Sequence, residues 1–335
     1  MRIGSFTWWF SICFISIAAG VIWWNQRTPQ AQPSSSATNT VSNHTQQRSQ
    51  PTQPAPTPEP IQVIFTGDVM LDRNIRTYAE TAGYQALIGE QLQAVLLGAD
   101  LVVPNFEGPI TENASVSQGS VVGSPNNFRF TFSPDSVTFL EAFNMQLVNL
   151  GNNHMNDFGA AGRQSTLTYL DAAAIASFGH TDPEGNQQRW HIENFEHGSI
   201  GFVNYNQFVP GGREAAFADL ADITPQADFV VVVTHWGNEY QQEPNLALEE
   251  LAHAMVDAGA DLIIGTHQHV IANHEVYQGA EIYYSLGNFV FDQYFSPAVQ
   301  EGLIVTAAFD FDTATITTET DRVTMTKPGV TELAE

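Results

Sequence analysis

Asp68, Glu107, Asn153, His154, His235, His267 and His269 are the residues of this chain whose types and positions suit chemistry at one shared centre. Each stands at or just beyond the end of a short apolar run: VIFTGD, LVVPNFEG, LVNLGNNH, VVVTHWG and LIIGTHQH. Glycines in these runs would let the chain turn sharply off a strand. Carboxylate, amide and imidazole donors together suit borderline divalent metals such as Zn, Mn, Fe or Ni, whereas an all-oxygen set would suit Mg or Ca. The single cysteine, Cys13, rules out an intramolecular disulfide, and with it thiolate ligation or cysteine catalysis in the folded part. Each residue also has an ordinary reading. Asp68 could be a turn residue or a helix cap, NFEG and GNNH could be plain turns, and His267 with His269 could be an incidental surface pair. Asn152 reads as turn support and Asp72 as the cap of a helix starting near Arg73.

Strands would have to carry these residues. Short runs rich in β-branched or aromatic residues predict them at Gln62–Thr66, Leu101–Asn105, Gln146–Leu150, Ser199–Asn204, Phe229–Thr234, Leu262–Gly265 and Glu281–Ser285, with later strands at Gly302–Phe309 and Thr315–Met325. Helical patterns fall between them, at Tyr84–Leu97, Asp135–Phe143, Gly162–Ala174 and Asn245–Ala258. The order is β then α, repeated, which is the pattern of an α/β fold. In a largely parallel sheet the five polar strand endings would converge on one face, where α/β folds place their sites.

The composition narrows the partners. Acids outnumber bases 36 to 11 in 335 residues, and residues 1–60 hold one acid and three bases, leaving 35 acids against 8 bases in the rest. So acidic a domain repels polyanions, which excludes nucleic acid as a general partner and favours bound divalent cations. From Phe6 to Trp24 run 19 uncharged, mostly apolar residues with paired tryptophans near both ends. That is about the length of a membrane-crossing helix, flanked as the interface prefers. The alternative is a signal peptide cleaved near Ala18-Ala19-Gly20, giving a secreted protein; either reading exports the rest of the chain. Residues 28–60 are dominated by Pro, Gln, Ser, Thr and Asn and read as a solvated tether. The expected organisation is a signal anchor over 1–27, a linker over 28–60 and one domain over 61–335, held at the cell membrane in the periplasm or extracellular space.

In combination, the ordered motifs GDVM, NFEG, GNNH, THWG, GTHQH and YSLGNF resemble the CapA/PgsA-type bacterial capsule synthesis proteins linked to poly-γ-glutamate, relatives of calcineurin-like metallophosphoesterases. The resemblance covers roughly residues 61–310. It implies a single-domain, four-layer αββα sandwich of metallophosphoesterase type, holding one or two divalent ions, with Mn, Zn or Fe the best suited. It also implies roles. One ion would be held by Glu107, Asn153, His235 and His267, and a second by Asp68, Glu107 and His269, with Met70 standing where the family pattern has a histidine. His154 would protonate a leaving group, Asp157 would orient its imidazole, and Asn288 would line the rim. The function implied is a metal-dependent phosphoesterase-like hydrolase acting on an envelope polymer or its precursor. The alternative is a non-catalytic polymer-binding or export component beside a membrane synthase complex.

Overall fold

The structure is a computed structural model that describes residues 59–179 and 189–334. The apolar segment Phe6–Trp24 lies outside these residues, as does the tether expected over 28–60 apart from Glu59 and Pro60. Among the described residues, no helix is long and apolar enough to cross a membrane.

The β-branched runs become strands buried on both faces. In the first sheet, β1 (Ile61–Val69), β2 (Leu101–Phe106), β3 (Leu147–Asn149) and β4 (Ala176–Phe178) lie side by side and parallel. The second sheet contains β5 (Trp190–Phe195), β6 (Gly198–Asn206), β7 (Phe229–His235), β8 (Leu262–Thr266), β9 (His274–Tyr277) and β10 (Ala280–Tyr283), in the order β5-β6-β7-β8-β10-β9. Its four inner strands are parallel, and β5 and β9 close its edges antiparallel. The chain then returns to the first sheet. There β11 (Asn288–Val290) pairs parallel with the end of β1, while β12 (Glu301–Asp310), β13 (Thr315–Thr326) and β14 (Val330–Leu333) extend it antiparallel.

Successive residues of a strand face opposite ways, so each strand feeds two cores. Val63 and Phe65 of β1, Leu101 and Val103 of β2, Val231 and Val233 of β7, and Leu262 and Ile264 of β8 meet in one cluster between the sheets. Ile64 and Val102 face the other way, packing with Ile75, Leu92, Leu96, Phe139 and Leu170 from α1 (Arg73–Ala82), α2 (Glu90–Gly98), α3 (Val137–Ala142) and α4 (Gly159–Ala172). Val230, Val232 and Ile263 pack against Leu220 of α5 (Gly212–Ile223) and Leu251, Ala252 and Met255 of α6 (Leu246–Asp257). The described residues therefore form mixed α/β layers in the order helices, sheet, sheet, helices, with one core between the two sheets and one under each helical layer.

Two expectations change. The helix expected over Tyr84–Leu97 is broken into a 3₁₀ turn at Tyr84–Leu87 and the separate α2. The cause is not local: the Gly89 amide donates to Thr331 O at 2.8 Å, and a Cβ on Gly89 would lie 2.9 Å from Glu332 Cγ, so β14 holds the chain at the break. The site-bearing strand ends also belong to two facing sheets, not to one face of a single parallel sheet.

Candidate metal centre

Register brings the polar strand ends into two rows. Across the first sheet Asp68 pairs with Asn105, Asn105 with Asn149, and Asp68 on its other side with Asn288. Across the second sheet Asn206 pairs with His235 and His235 with Thr266. The rows face each other. Glu107 follows β2, the Gly151–His154 turn follows β3, and His267 and His269 follow β8. Gly237 of THWG has the positive φ of a turn, 83°, whereas two other motif glycines act through close approach: a Cβ on Gly67 would sit 1.9 Å from Gly287 O, and one on Gly265 would sit 2.0 Å from Tyr284 O. Neither has the positive φ of a sharp turn. The turn is made by the histidines themselves, His267 with φ 89° and His269 with φ 56°. A non-glycine residue adopts that region at a cost and keeps it only where its surroundings dictate it.

Asp68, Glu107, Asn153, His154, Asp157, His235, His267 and His269 all meet here. Asp68, Glu107 and His269 offer ligand atoms within 4.8 Å of one another, all buried. Asp68 Oδ2 lies 3.1 Å from His269 Nδ1. Next to this trio, His235 Nε2 lies 3.0 Å from Asn153 Oδ1, 3.1 Å from His267 Nδ1 and 3.9 Å from Glu107 Oε1. Glu107 therefore stands between the two sets. His154 Nε2 is also 3.9 Å from Glu107 Oε1, and its Nδ1 lies 2.9 Å from Asp157 Oδ2. Asp157 is itself held, because its Oδ2 accepts the Phe130 amide at 2.7 Å and its carbonyl accepts Arg129 Nε at 2.8 Å. Asn153, His154 and Asp157 are half-buried and form the solvent side, while Asp68, Glu107 and His235 are fully buried. Met70 is buried too, and its sulfur accepts the Asp72 amide at 3.1 Å.

Hydrogen bonding fixes the imidazoles. Thr266 donates its one hydroxyl proton to Thr234 O at 2.8 Å. Toward His235 Nδ1, 2.9 Å away, it can then only accept. His235 Nδ1 carries the proton and Nε2 presents a bare lone pair to the centre. Asn288 directs its amide at His269 O, Gln293 Oε1 and Val299 O, which leaves its Oδ1 to accept from His269 Nδ1 at 2.9 Å. His269 Nδ1 thus lies between Asn288 Oδ1 and, at 3.1 Å, Asp68 Oδ2. Such outer partners are what orient metal-binding histidines.

The electrostatics fit a cation. Both oxygens of Glu107 are buried without a hydrogen-bond partner. Burial first, and then the neighbouring charge of Asp68, raise its carboxyl well above the ordinary range. Burial and the adjacent imidazoles hold His235 well below 6.5 and bring His267 down to about 4. An uncompensated buried carboxylate is costly, and neutral imidazoles with inward lone pairs are what a divalent ion requires. These residues suit such an ion as a group.

Sequence reasoning missed four supports, Asn105, Asn149, Asn204 and Thr266, and misplaced Asn288. Asn105 donates to Asp68 Oδ1 at 2.7 Å; it precedes Glu107 by two in NFEG, so strand alternation was the available signal. Asn149, Asn204 and Asn105 form a buried chain in which Asn204 donates to Asn149 and Asn149 to Asn105. Thr266 could have been noticed from the Thr-His pair that recurs in THWG and GTHQH. Asn288, expected at the rim, is fully buried next to His269, because β11 pairs with β1.

Comparison with known proteins agrees with these motifs. Residues 62–293 match the family described as "Bacterial capsule synthesis protein PGA_cap". The chain is 32% identical over 245 residues to the "PGA biosynthesis protein CapA" of Bacillus subtilis (strain 168), covering 68% of this chain and 63% of that protein. It is 28% identical over 253 residues to the "Capsule biosynthesis protein CapA" of Bacillus anthracis, covering 70% and 61%. The match thus spans about six-tenths of the length of these relatives. In fold it is similar to a crystallised hypothetical protein from Thermus thermophilus, with TM-score 0.50 and 18% identity over 78% of this chain and 98% of that one.

Proposed function

The chain belongs to the bacterial capsule synthesis protein family PGA_cap, and from that membership we propose that its described domain is a metallophosphoesterase-like, metal-dependent hydrolase of a phosphoester in an envelope polymer or its precursor. The observation that carries this reading is Glu107, fully buried with both oxygens unpartnered, between Asp68 and His269 on one side and His235 on the other. Glu107, Asn153, His235 and His267 would hold one divalent ion, and Asp68, Glu107 and His269 a second. A bound ion would supply Lewis-acid polarisation of the ester and a water of lowered pKa.

The remaining chemistry belongs to the chain. Asp157 accepts from His154 Nδ1, which leaves Nε2 turned toward the centre; protonated, it hands its proton to the leaving oxygen. Asn105 and the His267 amide fix the carboxylate of Asp68. We further propose that the domain acts outside the cytoplasm, a reading supported by the uncharged, mostly apolar run Phe6–Trp24 in the sequence.

Met70 supports a second reading, in which the domain binds polymer through metal without turnover. Its sulfur is engaged by the Asp72 amide, so the second set gains no fourth ligand from that position. The two readings separate by elemental analysis and a phosphomonoester and phosphodiester assay with Mn restored, on wild type and His267→Ala. Metal lost in the variant together with metal-dependent turnover supports the hydrolase. Metal without turnover favours the binding component, and no metal under any loading condition removes both.

A further inference from the structure

Beside the buried centre lie aromatic rings that face water. Phe208, Tyr240 and Phe295 are 42%, 44% and 67% exposed. The Phe208 ring is 4.4 Å from that of His267 and 5.8 Å from that of His235. Tyr240 lies 6.2 Å from His269 and meets Phe295 edge-on at 5.2 Å. Phe208 thus borders His267, and the Tyr240–Phe295 pair borders His269, the two histidines of THQH. Large rings left in water beside a site are typical of surfaces that a ligand covers.

Tyr240 is held there under strain. Its φ is 66°, a region that bulky residues rarely adopt. Its amide donates at 2.7 Å to the carbonyl of Gln268, which separates the two histidines, and its hydroxyl accepts from Gln293 Nε2 at 3.3 Å. The same Gln293 accepts from Asn288, the partner of His269. The ring is therefore fixed relative to the centre through both its backbone and its hydroxyl, and strain of this kind persists where surroundings over-determine it. Beside the Tyr240 and Phe295 rings stand the Tyr240 hydroxyl and the Gln293 amide. That surface matches a sugar ring, which offers C–H groups on its faces and hydroxyls around its edge; a ring with one wet and one apolar aspect suits Tyr in particular.

Resting on the metal-centre reading above, we infer that Phe208, Tyr240 and Phe295 form a ring-binding subsite that selects anions carried on a sugar. The centre takes the anion and the aromatic border takes the ring.

The test uses the full chain loaded with Mn and three phosphonates that resist hydrolysis: methylphosphonate, a glucosyl phosphonate and an adenosine phosphonate. Equilibrium titration is run on wild type and on the Phe208→Ala/Tyr240→Ala double variant, with metal content measured in the same samples. The expected result is a preference of wild type for the glucosyl over the methyl compound that falls about tenfold in the double variant, the size of one or two aromatic contacts. If the alanine variant loses its metal, Phe208→Leu/Tyr240→Leu keeps apolar volume and is read for the same fall. Equal affinity of wild type for the methyl and glucosyl compounds overturns the subsite, as does a preference that survives intact in the metal-loaded variant. Stronger selection of the adenosine compound overturns the sugar assignment. Failure of all three to bind the metal-loaded chain overturns the metal-centre reading, and the subsite with it.

Discussion

Thr266 and His235 stand 2.9 Å apart, hydroxyl oxygen to Nδ1, and the bond can run in one direction only, because the threonine proton is committed to Thr234 O. Thr266 thereby chooses the tautomer of His235. Thr266→Val keeps the shape and removes the acceptor, leaving a buried N–H whose other neighbour, Asn105 Nδ2, is also a donor. Metal affinity is expected to fall about 10–100-fold, the usual effect of losing such a partner. Thr266→Ser should retain most of it, and competition titration with a coloured chelator reads both. Equal affinity in the valine variant would mean that Thr266 does not set the tautomer.

Glu107 makes the metal-free chain sensitive to pH. Its native carboxyl binds a proton well above its ordinary value of 4.5, so in that window the folded state holds more protons than the unfolded one. Stability is then fully present below the ordinary value and is lost as pH rises through the raised one. Glu107→Gln should abolish metal binding and remove this pH dependence, so that the metal-free variant keeps its stability toward alkaline pH where wild type loses it. Denaturant titration of chelator-treated protein from pH 4 to pH 9 checks the slope.

For wild type, loading should release that proton. Metal affinity should therefore climb with pH until the raised value of Glu107 is passed, and then flatten as far as this group is concerned. Calorimetric titrations in buffers of different ionisation enthalpy count the protons released. A count unaffected by Glu107→Asp or by pH would point to another source.

His154 lies beyond hydrogen-bond distance of Glu107 and is held by Asp157. His154→Ala should leave metal content intact and lower phosphoester turnover about 10²–10⁴-fold, the span of a positioned general acid. Stopped-assay rates with an activated leaving group, which needs no protonation, should recover most of the loss. Unchanged rates on ordinary esters would instead favour the binding-component reading.

Asp72 illustrates a polar residue whose work is structural. One oxygen accepts the Arg73 amide at 2.8 Å and caps α1, and the other accepts the Thr131 amide at 2.8 Å, with the side chain fully buried. Asp72→Ala should cost about 2–4 kcal/mol, a cap plus an unsatisfied amide, as read by denaturant unfolding of metal-loaded protein. Asp72→Asn should cost less.

The sequence exposed what is local. Apolar β-branched runs located seven strands near the observed positions, since their residues must be buried on both faces. Asn245 announced α6, whose first turn it caps through Leu248 N at 3.0 Å. The strand-end residues were visible because each polar group follows a run that must be buried. Long-range pairing was not visible. The short strand β11 takes its form from a partner far along the chain, Asp68. α5 begins at a glycine pair with no side-chain cap, so no start signal announced it. The inward burial of Asn288 followed from the same distant pairing, and the single-face picture of the site failed because period and propensity do not reveal that a chain will leave one sheet, build another and return.

The two facing rows have a further consequence. The first ligand candidate, Asp68, and the last, His269, come from different sheets that β1 and β8 bring together only when both are complete. No translated or refolding fragment that lacks one sheet owns the whole donor set. An ion held by the whole set would therefore be captured only once both sheets have closed, and since donors of this mixed type accept several divalent ions, the place of folding would select the metal as much as the ligands do.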